Sequence, residues 1–238
     1  MKNMTQQLPN AITLTALCFG LTAIYAALEG AWERAVILLI ISTILDGLDG
    51  RVARMLGATS KIGEQLDSLC DTVNFGVAPA LLLYLWALNV FGAAGWAIVL
   101  VYVMCTVVRL ARFNMLCELP GRSPAYFSGL PSPIAALVII CPLTISFAFP
   151  EHFFFYPEIS AAITLIASGL MVSTLPMFSF KTLKDTPFSQ PTIKIAAAML
   201  VLIAVVLAAI GKPWMILAEC VFVYFSLLPL SMMHYKKI

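Results

Sequence analysis

The stretch Asp46-Gly-Leu-Asp-Gly-Arg-Val-Ala-Arg54, continued by Gly63, Asp67 and Asp71, decides how the rest of this chain is organised. It carries four of the 12 acidic residues in a chain that is 61% apolar. An unpaired charge near hydrocarbon is disfavoured by on the order of several kcal/mol, so carboxylates in such surroundings need a specific purpose. These acids therefore predict a functional site.

A helix break separates the acids into two pairs. Gly57 is a natural residue just past a helix end, and Ser60 is a natural N-cap for the next helix. The sequence therefore predicts helices over residues 31–56 and 61–88, joined by a tight turn. Two helices joined this way form an antiparallel hairpin. A residue on one helix lies level with a residue on the other when both are equally far from the turn.

The acids occupy facing positions on this hairpin. Asp46 and Asp49 are three residues apart and Asp67 and Asp71 are four apart, so each pair shares one helix face. Four converging carboxylates cannot all stay ionised unless cations neutralise them. Oxygen ligands without a nearby histidine favour Mg²⁺ or Mn²⁺, as one or two ions. The alternative is an ion-pair network with the neighbouring basic residues, which are Arg51, Arg54 and Lys61.

Composition indicates an integral membrane protein. The 238 residues have a mean hydropathy of +0.97 and only 11% are charged, values typical of a membrane protein rather than a soluble one. A net charge of +2 without a basic run indicates no nucleic-acid partner. We expect a single domain over residues 1–238. Its fold class is all-α, a polytopic transmembrane bundle of about eight helices, with a six-helix catalytic core and accessory helices over 192–235.

The eight predicted spans follow the apolar segments of the chain, and Pro9 is expected to begin the first one. They are residues 9–28, 31–56, 61–88, 93–116, 130–149, 157–178, 192–210 and 213–235.

Charge placement predicts the orientation of these spans. If both termini are cytosolic, 12 of the 14 Lys and Arg residues lie on the inner side, and only Arg34 and Lys212 lie outside. Such a bias is typical of cytoplasmic loops. We therefore expect the acidic site at the cytosolic side, in a bacterial inner membrane, and we expect a homodimer.

The acidic stretch also resembles a known family. The pattern Asp46-x-x-Asp49-Gly50-x-x-Ala53-Arg54, eight residues, Gly63-x-x-x-Asp67-x-x-x-Asp71 is similar to the complete signature of the CDP-alcohol phosphotransferases. This resemblance implies a CDP-activated donor, an alcohol acceptor and a metal-dependent reaction with two ions.

The resemblance further implies a role for each signature residue. The four aspartates would hold the metal ions, and Asp71 would also be the general base. Gly50, Ala53 and Gly63 would let the cytidine approach closely. Arg54 would orient the acidic cluster or a phosphate.

Four more segments resemble the membrane-type phosphatidylserine synthases within that family. They are Leu8–Thr13, Asp71–Pro79, Arg109–Asn114 and Tyr126–Pro133. This likeness implies transfer of a phosphatidyl group from CDP-diacylglycerol to L-serine, with release of CMP.

Two polar pairs outside the signature are further candidates for substrate binding. Arg109 and Arg112 share a helix face, where they could hold a phosphate or carboxylate, or else anchor the helix at the membrane surface. Asn10 and Thr13 could contact the nucleotide, or else bond only to their own helix.

Three other functions are to be weighed from the sequence, of which a non-catalytic membrane scaffold is disfavoured because it would not need four facing acids. A sister transferase would use the same donor with glycerol 3-phosphate, an inositol phosphate or choline. A membrane transporter would use the acids as a cation site, although its broken helices or repeats are not evident.

Overall fold

Helices account for nearly all of the structure. The computed structural model describes residues 2–117, 127–149, 157–174, 176–177, 213–222 and 224–225. In these ranges one antiparallel ladder joins β1 (Phe127–Ser128) to β2 (Pro176–Met177). The all-α bundle confirms the predicted fold class. Its helices are α1 (Lys2–Leu28), α2 (Trp32–Met55), α3 (Lys61–Asp71), α4 (Ala78–Trp86), α5 (Ala93–Cys117), α6 (Ser132–Ala148) and α7 (Pro157–Val172).

Several of these helices suit a lipid bilayer. Three described segments are long and apolar enough to cross a membrane: Gln7–Leu28, Lys61–Trp86 and Ala93–Leu116. Large apolar side chains such as Leu14 and Ile37 are exposed on the outer surface. An apolar outer surface of this extent is typical of contact with lipid. The chain is an integral membrane protein with several spans.

Small residues allow α1 and α2 to pack closely. Ala23 and Ala26 on α1 and Ala35 on α2 are completely buried. Such residues let two helix backbones approach each other in a membrane, where van der Waals packing drives association. The Ser42 hydroxyl also donates to the Ala16 carbonyl across this contact, at 2.8 Å. This packing brings the polar end of α1 against the acids of α2.

The turn between α2 and α3 has the predicted caps. Gly57 adopts a positive φ of 59°, and the amides of Gly57 and Ala58 donate back to the carbonyls of Arg54 (3.3 Å) and Ala53 (2.9 Å). These two bonds form a Schellman motif, which satisfies the last carbonyls of the helix. At the start of α3, the Ser60 hydroxyl accepts from the Gly63 amide at 3.1 Å. The predicted hairpin is confirmed.

The second helix of the hairpin contains a π-helical turn. α3 continues through a π turn (Thr72–Val77) into α4, and a short 3₁₀ turn (Leu88–Phe91) follows. In the π turn, the Phe75 carbonyl accepts from the Tyr102 hydroxyl of α5 at 3.0 Å. The predicted helix over 61–88 is therefore confirmed in extent to within two residues, but it is not a uniform α-helix.

The expected beginning of the first helix is wrong. α1 begins at Lys2, and Pro9 lies inside it rather than in its first turn. An internal proline removes one helical hydrogen bond but is tolerated in membrane helices when neighbouring groups compensate. The Thr13 hydroxyl lies 3.1 Å from the Pro9 carbonyl, one turn along the helix, and this contact does not replace the bond that the proline cannot make.

The expected end of the helix over 157–178 is also wrong. α7 ends at Val172, six residues early, shortly before Pro176, and two long-range contacts hold its C-terminus. The Arg112 guanidinium donates to the Val172 carbonyl at 2.9 Å, and Pro176 and Met177 pair with β1 instead. The predicted helix over 192–210 lies outside the described residues. Of the span over 213–235, residues 215–222 and 224–225 are helical.

Candidate active site

Three carboxylates converge near the turn of the α2–α3 hairpin. One oxygen each from Asp46, Asp49 and Asp67 lies within 4.8 Å of the others. Helical spacing presents the first two from α2, and the capped turn sets α3 so that Asp67 faces them. The facing positions predicted from residue numbering are thus occupied by these three side chains.

Asp71 lies one helical turn beyond Asp67 and deeper in the bundle. Its carboxylate interacts electrostatically with the three other acids, most strongly with Asp46. The Oδ1 atoms of Asp46 and Asp71 are enclosed and have no hydrogen-bond partner in the part of the chain that the structure describes. Buried acceptors without a partner are disfavoured by about 1–3 kcal/mol, and by more when charged. These oxygens are therefore suited to a ligand.

Helix α1 fixes the orientation of Asp49. Thr13 and Asp49 are each only 4% exposed, and the Thr13 hydroxyl donates to Asp49 Oδ2 at 2.5 Å. The other carboxylate oxygen accepts from the Gly50 amide. Thr13 also lines the recess beside the acids, so its contact with the nucleotide stays a prediction.

A polar recess of about 170 Å³ opens beside the acids. A Cβ atom at Gly63 would lie 3.0 Å from Asn10 Oδ1 and 3.2 Å from Ser60 Oγ, so a side chain there would crowd these two groups at the wall of the recess. The recess brings together most of the site residues predicted from the sequence. Its lining is Pro9, Asn10, Thr13, Asp49, Gly50, Ala53, Arg54, Ala58, Thr59, Ser60, Gly63, Glu64 and Asp67.

The acidic cluster fits a divalent metal ion. Its donors are carboxylate oxygens, which Mg²⁺ and Mn²⁺ prefer, and Asp46 supplies an enclosed oxygen without a described partner. Arg54 interacts electrostatically with Asp49 from the edge of the recess. A complete ion-pair network would give each buried oxygen a partner, and the Oδ1 atoms of Asp46 and Asp71 have none among the described residues.

Arg109 lies inside the bundle rather than at the membrane surface. It is 8% exposed, which does not fit a role as a surface anchor. Its Nη1 donates to the Ser132 hydroxyl at 2.7 Å, and its guanidinium interacts electrostatically with Asp71. Ser132 is not among the site residues predicted from the sequence, although it lies in the segment Tyr126–Pro133, which resembles the membrane-type phosphatidylserine synthases.

The two other polar residues at this end of α5 make structural contacts. Arg112 is half-buried, and its guanidinium bonds to the end of α7 rather than to an acid of the site. The Asn114 amide donates to the Ser68 hydroxyl at 2.8 Å. Because Ser68 follows Asp67, this bond ties α5 to the acid-bearing helix. No signal in the sequence pairs these two residues.

The fold and the site together define a class: a polytopic helical membrane protein with a carboxylate cluster beside a polar recess, near one end of a helix hairpin. Comparison with protein families identifies the class. Residues 6–175 match the model described as CDP-alcohol phosphatidyltransferase. The chain belongs to this family, which confirms the resemblance of its acidic signature.

Curated relatives from three groups of organisms are similar over most of the chain. A CDP-diacylglycerol–serine O-phosphatidyltransferase of Mycobacterium leprae is 40% identical over 216 residues, covering 89% of this chain and 71% of that protein. The Bacillus subtilis protein of the same name is 35% identical, covering 73% and 91%. An archaetidylserine synthase of Methanothermobacter thermautotrophicus is 36% identical, covering 71% and 68%.

Proposed function

We propose that this protein transfers a phosphatidyl group from CDP-diacylglycerol to L-serine and releases CMP. One observation carries the proposal: three carboxylate oxygens lie within 4.8 Å of one another beside a recess large enough to admit part of a nucleotide. Family membership supports the CDP-linked donor. Serine is the acceptor named in the relatives from bacteria and from an archaeon.

The acids would hold the metal that this reaction uses. Asp46, Asp49 and Asp67 supply its ligands together with Asp71, as Mg²⁺ or Mn²⁺ and as two ions. When bound, such ions neutralise the donor pyrophosphate and the charge that develops on the departing CMP. Thr13 contributes by holding Asp49 in one orientation.

The recess would bind the nucleotide half of the donor. Gly50, Ala53 and Gly63 line it without bulky side chains, which leaves room for the cytidine. Asn10 presents its side chain into the same space, as a partner for the base or ribose. Arg54 is placed to contact a phosphate.

Asp71 would be the general base. Its enclosed Oδ1 has no described partner, so it can accept the proton of the serine hydroxyl. The serine oxygen then forms a bond to the phosphorus of the phosphatidyl group. The bond from that phosphorus to the bridging oxygen breaks, and its electron pair leaves with CMP. The Arg109 guanidinium interacts electrostatically with Asp71 and would hold the serine carboxylate, because a buried anion needs a fixed positive partner.

The cellular setting follows from the charge distribution. We propose a bacterial inner membrane with both termini and the acidic site on the cytosolic side, since CDP-linked donors are made in the cytosol and their acyl chains lie in the adjacent leaflet. We further propose one domain over residues 1–238 and a homodimer, with the helices over 192–235 as accessory elements.

An acceptor panel tests the proposal. Purified protein is incubated with CDP-diacylglycerol, Mg²⁺ or Mn²⁺, and labelled L-serine, glycerol 3-phosphate, an inositol phosphate or choline. We expect lipid product and CMP with serine, and loss of both with a chelator. Lipid product with another acceptor and none with serine would show that the chain is a sister transferase.

Variants of the acids test the shared site. Replacement of each aspartate by asparagine should abolish transfer while insertion and folding persist; the variants are Asp46→Asn, Asp49→Asn, Asp67→Asn and Asp71→Asn. The matched control is Glu33→Gln, an exposed acid at the other end of α2, which should retain full activity. Full activity in two of the four asparagine variants would contradict a common metal site.

A further inference from the structure

Tyr224 places a polar group in the core from the C-terminal part of the chain, beyond the residues 6–175 that match the family. The residue is 9% exposed and belongs to the hydrophobic core. Its ring packs edge-on against the ring of Phe225, with centroids 5.9 Å apart. Its hydroxyl is enclosed and has no hydrogen-bond partner among the described residues. Because buried tyrosine hydroxyls normally have a partner, this one is suited to a ligand.

Arg109, which interacts with Tyr224, indicates what kind of ligand would bind here. The Arg109 guanidinium interacts electrostatically with both Asp71 and Tyr224, and the bond from its Nη1 to Ser132 fixes its position. A guanidinium and a phenol hydroxyl are both donors, and together they suit a carboxylate. Asp71, which interacts electrostatically with the same guanidinium, is the proposed base for the acceptor hydroxyl. A small molecule that carries a hydroxyl and a carboxylate a few bonds apart would reach both groups.

We propose that Tyr224 is a specificity-determining residue of the acceptor site, whose hydroxyl donates to the carboxylate that Arg109 holds. This inference rests on the proposed transfer to an amino-acid acceptor and deepens it. It also gives the segment around Tyr224, which the sequence predicts only as part of an accessory helix, a part in substrate selection. The hydroxyl gains its missing partner when the acceptor binds.

The variant Tyr224→Phe removes the hydroxyl and keeps the ring that packs against Phe225. Transfer is measured with L-serine and with serinol, which has a hydroxymethyl group in place of the carboxylate. We expect the KM for serine to rise about 10-fold or more, the loss typical of a hydrogen bond to a charged group. The KM values for serinol and CDP-diacylglycerol should stay unchanged. Tyr84→Phe is the matched control, because Tyr84 packs on Trp96 in another part of the bundle.

A second variant separates loss of the Tyr224 hydroxyl from a change in side-chain packing. Tyr224→Met fills the space with a flexible apolar side chain and should show the same loss of preference for serine over serinol. Equal losses with both acceptors, failure of both variants to fold, or an unchanged KM for serine would each overturn the role of Tyr224. Wild-type protein that transfers to other alcohols but not to serine would instead refute the proposed function.

Discussion

Replacement of Thr13 by valine tests how α1 supports the acidic cluster. Valine has nearly the same shape, so the change removes the hydroxyl that donates to Asp49 Oδ2 at 2.5 Å and leaves the helix packing intact. Among the described residues, the Asp49 carboxylate then keeps its bond from the Gly50 amide and its attraction to Arg54, and it is held less firmly in one orientation. The expected defect is therefore in metal binding.

The size of the defect follows from the type of bond. A hydrogen bond to a charged group contributes about 1.5–3 kcal/mol. Loss of a residue that orients a metal ligand typically reduces metal affinity about 10- to 100-fold. We expect the Mn²⁺ concentration for half-maximal transfer to rise about 10-fold or more in Thr13→Val. Saturating Mn²⁺ should restore much of the rate, and the KM for serine should not change.

A threonine on the same helix provides the control. Thr15 is exposed, and its hydroxyl donates to the Ala11 carbonyl of its own helix at 2.7 Å, so Thr15→Val should bind Mn²⁺ as the wild type does. Identical Mn²⁺ dependence in the two variants would refute the orienting role of Thr13. A higher KM for CDP-diacylglycerol without a change in Mn²⁺ dependence would show that Thr13 contacts the nucleotide instead.

Two further predictions concern the acceptor and the membrane orientation. Arg109→Lys should raise the KM for serine, with a loss of about 1.5–3 kcal/mol in binding free energy. Arg112→Lys should change this KM less, because Arg112 is bonded to α7. Serine and CDP-diacylglycerol are titrated separately, and a change in the KM for CDP-diacylglycerol alone would contradict the prediction. In a cysteine-free background, an impermeant thiol reagent added outside intact cells should label Glu158→Cys but not Thr59→Cys, and the reverse pattern would invert the orientation.

Local chemistry explains why much of the hairpin could be predicted. Gly57 and Ser60 act within a few residues of their own position, so the turn between α2 and α3 is readable from the sequence. The beginning of α1 and the end of α7 are different. The first lies before Pro9, a residue type that favours the first turn of a helix over its interior. The second involves a contact with a residue 60 positions away, Arg112, and only Pro176 marks it locally. Contacts of that kind leave no local pattern.

The same distinction applies to the site. Asp46, Asp49 and Asp67 converge because helical spacing and one turn are enough to align them. The partners that orient the site come from elsewhere in the chain, such as Ser132 for Arg109. The electrostatic interaction of Tyr224 with Arg109 joins residues that are far apart in the chain, and no local sequence pattern predicts it.

The π turn after Asp71 has a consequence for exchanging parts between family members. A π turn holds about one residue more than an α turn, so the helix beyond it is rotated by about 100° relative to a continuous α-helix. Deleting one residue between 72 and 77 would leave Asp67 and Asp71 facing α2 while turning Leu82 and Leu83, both fully buried, away from the core. A chimera that replaces α3 must therefore preserve a π turn at residues 72–77. These residues set the rotation between the acids of α3 and the buried side chains of α4.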